Sequence, residues 1–185
     1  VKAKLEGRYK HAERKFDGTG TADVVKQITI AEGVGAKGYS FYLMPSSGVS
    51  AEIKGNALKK VEGKLVVHIS DTRGEAGTFL KASAQATYEG GEAPNVTANG
   101  KLEVTRPKEM LTTRSGYAIV LQKGSGATVV VTKNELNEIG GTVNIDVNKK
   151  GALFAKIALA GRYTPATGFD GKGTAELCQE WEVNS

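Results

Sequence analysis

The chain has 185 residues, 39% apolar and 24% charged, with 25 basic against 20 acidic side chains and a net charge of +5. No apolar run approaches the ~20 residues a helix needs to span a bilayer, and so small a positive surplus reads as solubility rather than as a nucleic-acid footprint. One cysteine, Cys178, rules out an internal disulfide framework and a cysteine zinc site.

The chain opens on VKAKLEGRY, in which Val1, Ala3, Leu5 and Tyr9 alternate with Lys2, Lys4, Glu6 and Arg8. Strict alternation is the pattern of a half-buried strand. A loop through Asp17-Gly18 is expected next, then a second strand whose inward set runs Ala22, Val24, Lys26, Ile28 and Ile30.

Residues 38–69 then align without a gap with residues 116–147, an offset of 78. Eight of the 32 pairs are identical, among them Tyr39/Tyr117, Ser47/Ser125, Gly48/Gly126 and Asn56/Asn134. Chance at ordinary composition would give roughly two. Each unit reads as strand, Gly-centred turn, strand. A single helical turn is expected over Asn56–Val61 and Asn134–Ile139, N-capped by the asparagine and stopped by Gly63 and Gly141. A further strand follows in each.

The opening hairpin returns after each unit. Leu159-Ala-Gly-Arg-Tyr163 repeats Leu5-Glu-Gly-Arg-Tyr9, and Phe169-Asp-Gly-Lys-Gly-Thr-Ala175 repeats Phe16-Asp-Gly-Thr-Gly-Thr-Ala22. The middle copy is looser, with Tyr88 in the place of Tyr9 and Tyr163. The chain is therefore read as one duplicated β domain over 1–185. Its repeat units are 38–69 and 116–147, flanked by hairpin units 1–30, 78–105 and 152–183. The Pro-containing stretch 104–113 is the best candidate for a boundary. Short strands joined by tight turns predict an all-β fold, an antiparallel sandwich or barrel with at most one-turn helices.

Little in this pattern carries chemistry. FDGTGT and FDGKGT have the glycines of a phosphate loop but no helix after them, so tight Asp-Gly turns are expected. His11 and His68 read as solvated surface residues, and Cys178 as an incidental thiol on the polar side of the last strand. No metal ligand set, cofactor site or catalytic constellation is expected. Tyr9, Tyr88 and Tyr163 are the candidate ligand contacts, with Lys26, Arg106 and Gln179, long polar side chains at one aligned position of the three hairpins. They would line either a polar-edged cavity or the exit of each strand into water.

The first hairpin is basic and the last acidic. Lys2 and Lys4 are accordingly expected to face Glu180 and Glu182, closing one molecule or joining neighbours. The function expected is a non-catalytic binding or assembly module, a secreted or particle/surface structural protein, with a protein partner or self-association. The alternative is a lipid or glycan carrier holding a small ligand in a barrel interior. The sequon Asn95-Val96-Thr97 slightly favours a secreted or periplasmic protein.

Overall fold

The structure is a computed structural model that describes residues 1–35, 38–71 and 77–179. The first hairpin is β1 (Lys2–Lys10) with β2 (Lys15–Asp23). The first repeat unit follows as β3 (Ile28–Val34), β4 (Tyr39–Leu43), β5 (Gly48–Lys54) and β6 (Ala57–Ser70). The middle hairpin is β7 (Thr78–Glu89) with β8 (Asn95–Val104). The second unit is β9 (Lys108–Thr112), β10 (Tyr117–Leu121), β11 (Gly126–Thr132) and β12 (Glu135–Lys149), and β13 (Ala152–Thr164) with β14 (Gly168–Leu177) closes the chain. Among the described residues the only helical element is a 3-10 turn at His11–Glu13.

The all-β expectation holds, and every strand pairing is antiparallel. The strands form one sheet in which β1, β2, β5, β6, β7, β8, β11, β12, β13 and β14 lie abreast. At about 4.8 Å per strand this row is about 43 Å wide. The long strands β6 and β12 change neighbours partway along. β6 pairs with β5 over Ala57–Lys64 and with β4 over Val67–Ser70, β4 carrying β3 on its far side. β12 divides in the same way between β11 and β10, with β9 beyond.

The handover is made by a serine. At residue 66, between the two pairings, the Ser47 hydroxyl accepts the Val66 N–H (2.8 Å) and donates to the Val66 carbonyl (3.3 Å). Ser125 does the same for Asn144, at 2.9 and 3.2 Å. In each unit the serine carbonyl also accepts a backbone N–H, from Val24 or Val104. Ser47 and Ser125 are buried, so without them a buried backbone N–H would lose its partner.

The expected helical turns are not formed. Gly55 and Asn56 (φ 60° and 67°) and Lys133 and Asn134 (φ 51° and 69°) are paired left-handed residues. Two adjacent positive φ values make the type I′ hairpin turn that suits the twist of flanking strands. An N-cap needs an extended φ, so these asparagines cannot cap. They turn the chain between β5 and β6 or β11 and β12. Their side chains also tie down the neighbouring hairpin. Asn56 Oδ1 accepts the Phe16 N–H at 2.7 Å, and Asn134 Oδ1 accepts the Val96 N–H at 2.8 Å. Gly63 and Gly141 sit inside strands rather than ending helices.

The expected turn at Asp17-Gly18 is also displaced. The hairpin reverses at His11–Arg14, with Arg14 left-handed, and FDGTGT runs inside β2 as FDGKGT does inside β14. The glycines there serve packing. A Cβ on Gly161 or Gly171 would come within about 3 Å of the Phe169 ring. That ring lies flat across both, and Phe16 covers Gly7 and Gly18 in the same manner. An aromatic ring laid over cross-strand glycines shields backbone that no Cβ covers.

The sheet neither closes into a barrel nor folds onto a second sheet among the described residues. β1 pairs only with β2, β14 only with β13, and the strands in extensive contact are those that share hydrogen bonds. The sandwich or barrel is thus replaced by one open layer. Pairing of β8 with β11 carries the sheet across the candidate boundary at 104–113.

Candidate functional site: an uncovered apolar sheet face

Cross-strand register places side chains on faces. Leu5 lies opposite Gly20, Gly20 opposite Ala51, Ala51 opposite Val61 and Val61 opposite Tyr88. Further across, Ala84, Gly100, Val129, Ile139, Tyr163 and Phe169 form one lateral row. Following register through all ten abreast strands, this face carries Gly, Ala, Val, Leu, Ile, Tyr and Phe and no charged side chain. Alternation within each strand is what made this face legible, and the in-register pairing joins the strands' stripes into one surface.

The other face is polar and laced with ion pairs. Lys4–Glu6 (2.6 Å), Lys60–Glu62 (2.8 Å), Lys101–Glu103 (2.7 Å) and Arg162–Glu138 (2.8 Å) lie along it. Asp17 accepts the Gly55 N–H (2.6 Å) and pairs with Lys10 (3.1 Å), and both contacts hold its carboxyl below the usual range. Exposed pairs of this kind contribute little stability. They keep that face in water.

Among the described residues, no layer covers the apolar face. Leu5 is 77% exposed, Phe169 76%, Leu177 67% and Leu159 49%. Buried apolar side chains among the described residues are few: Val24, Tyr42, Phe79, Val104 and Ala155. The protein exposes 12441 Å², where a compact monomer of this size would expose about 8,500 Å².

The expected ligand residues are dispersed by this layout. Tyr9, Tyr88 and Tyr163 do lie on the apolar face, but three strands lie between each and the next, a distance of four strand spacings. That is about 19 Å laterally, so they make no common platform. Tyr9 is 57% and Tyr163 41% exposed. Lys26, Arg106 and Gln179 follow β2, β8 and β14, at the strand ends opposite the tyrosines, so the two sets line no shared interior. Lys26 and Gln179 are exposed. Arg106 is half-buried, donates to the Thr78 and Gly77 carbonyls and pairs, together with Lys108, with Asp71. Burial pushes the Asp71 carboxyl up, but Lys108 and Arg106 together hold it below its ordinary value.

Lys2 and Lys4 are exposed on β1, and Lys4 pairs with Glu6 of its own strand. Glu180 and Glu182 lie outside the described residues. β1 and β14 form opposite edges of the sheet and are not paired with each other. His11 is exposed beside Tyr9, their rings 6.2 Å apart. His68, expected at the surface, is instead buried beside Tyr42, its cross-strand neighbour. Cys178 is exposed. Among the described residues no three His, Cys, Asp or Glu side chains gather closely enough to hold a metal ion, and no helix is long and apolar enough to cross a membrane.

Sequence reasoning missed Ser47 and Ser125 as structural residues. Their identity within aligned turns was the available signal; the strand handover that needs them was not visible. The face itself is the feature that stands out chemically. It is wide, uncharged and open, and a hollow of about 600 Å³ on it is lined by Gly141, Gly161 and Gly171 with Ile139, Leu159 and Phe169. Comparison with protein-family models, curated proteins and solved structures finds no match to this chain.

Proposed function

We propose that this protein is a non-catalytic assembly module that works through the apolar face of its sheet. The observation that supports this is the continuity of that face across ten strands with no charged side chain. Exposed apolar patches on a soluble monomer rarely exceed a few hundred Å², and larger ones mark interaction surfaces. This one measures about 43 Å by about 25 Å, or about 1,100 Å², from strand spacing and strand rise.

Hydroxyl-radical footprinting in a concentrated extract of producing cells tests the reading. Tyr163 and Phe169 should be oxidised several-fold more slowly there than in the purified protein at high dilution. Equal labelling in the two conditions would show that nothing covers the face and would end the reading.

A second reading, a small-ligand carrier, is favoured by the hollow over Gly141, Gly161 and Gly171. A fluorescent fatty acid titrated into the purified protein should then bind saturably and be lost on Tyr163→Ala. Ligand pockets enclose most of their ligand, and an open sheet face encloses one side only. The assembly reading is therefore preferred.

A further inference from the structure

The assembly reading leaves the occupant of the face open, and the inference here rests on that reading. We propose that the occupant is a second copy of this chain, laid face to face to form a two-sheet sandwich between molecules. A stable protein interface takes about 800 Å² from each partner, and this face offers about 1,100 Å². The protein's excess of about 3,900 Å² over a compact monomer is more than enough to contain it.

Chemistry narrows the partner further. The face has no charged side chain to steer a charged ligand, and the hollow over Gly141 is open rather than enclosing. Its complement must be a broad, shallow and equally apolar surface. Antiparallel sheets meet that demand for one another, packing about 10 Å apart with inner side chains interleaved. A twofold axis through the face sets the same surface on both sides, so the contact is closed and self-limiting.

The large side chains are placed for such interleaving. Leu65, Val129, Ile139, Val143 and Leu159 stand 37–49% exposed. Between them lie Ala84 and Gly141, lower positions that could receive side chains from above. The polar face directs its charges outward on both sides of the sandwich. The free edges carry Lys2, Lys4, Glu6, Arg8 and Lys10 on β1, and Asp170, Lys172 and Glu176 on β14. Charged edges resist strand-by-strand extension, which leaves the face as the route of association.

Sedimentation equilibrium of the purified full-length chain tests the proposal. The expected mass is twice that of the chain. Leu65→Glu, in the middle of the face, should weaken the dimer roughly 30-fold or more. Gln85→Glu, on the polar face of adjacent β7, should leave it unchanged. Far-UV circular dichroism checks that Leu65→Glu keeps its strands. Should that variant unfold, wild-type footprinting over a dilution series decides, with Tyr163 and Phe169 labelling expected to rise as the dimer dissociates.

Three results would overturn the proposal: a monomer at all concentrations up to about 100 µM, a dimer that survives Leu65→Glu in a folded protein, or labelling indifferent to dilution. Protection of the face in extract combined with a monomeric purified protein would reject the second copy alone. The assembly reading would then stand with a different partner. No protection in extract would remove both.

Discussion

The two repeat units share a skeleton and differ in what they cover. Both hand a long strand from one neighbour to another through a serine hydroxyl, and both turn at an asparagine that also pins the adjacent hairpin. Around that skeleton the side chains diverge. In the first unit the cross-strand pairs Ser40/Ser70 and Tyr42/His68 are buried. At the same places the second unit has Ala118/Asn148 and Val120/Asp146, all half-buried. The Asp146 carboxylate is reached there by the Gln122 amide at 2.9 Å.

Even a shared feature is built by different means. Tyr39 packs at a tilt against Phe79 beside Lys108, whereas Tyr117 meets Phe154 edge-on beside Lys149. Lys108 comes from the following unit, while Lys149 is on the same unit's β12. Backbone requirements are thus held constant between the units, and cover is improvised.

The sharpest way to break this comparison is at its most unequal pair. Tyr42→Ala should cost about 3–5 kcal/mol, the range for truncating a large buried aromatic. Val120→Ala should cost about 1 kcal/mol, as for a half-buried aliphatic group. Urea denaturation measures both, and equal losses would mean that the two units are covered alike.

Where the units agree, the effects should agree. Ser47→Ala and Ser125→Ala each leave a buried backbone N–H without its hydroxyl partner, at about 1–3 kcal/mol. The two losses should match within about 0.5 kcal/mol and add in the double variant, the sites being far apart and without shared partners. A large loss at one serine and none at the other would show that the handovers are not equivalent.

The smallest effect separates Asp71 from its counterpart Lys149. With its folded pKa held down by Lys108 and Arg106, Asp71 contributes stability above the unfolded carboxylate value of about 4. That contribution is lost as pH falls through the lower folded value, because the unfolded state then binds more protons. Asp71→Asn should lower stability at neutral pH and converge on wild type in acid. Lys149→Met should leave the acid limb unchanged. Denaturant midpoints between pH 2 and 7 distinguish the two.

Much of the secondary structure could be read directly. Period-two alternation in VKAKLEGRY and GYAIVLQ located strands, and the ungapped offset of 78 marked Ser47 and Ser125 as equivalent positions without showing what they do. The readings that failed were those in which two conformations satisfy one local pattern. Asn before an i,i+3 apolar pair suits a capped helix or a type I′ turn, and here strand pairing on both sides selected the turn. Asp-Gly suits a tight turn, yet in β2 and β14 it continues a strand because Phe16 and Phe169 lie over the neighbouring glycines.

The sequence by itself determined which side of each strand is apolar, because side-chain period two is a property of the extended backbone alone. It also determined where the chain can reverse, through residues that tolerate positive φ. Only the tertiary structure decided that these apolar sides lie on one open sheet rather than inside a closed barrel or within one chain's sandwich. Hydrophobic alternation is the same in all three cases. What distinguishes them is whether the first and last strands find each other, and here β1 and β14 end as opposite free edges.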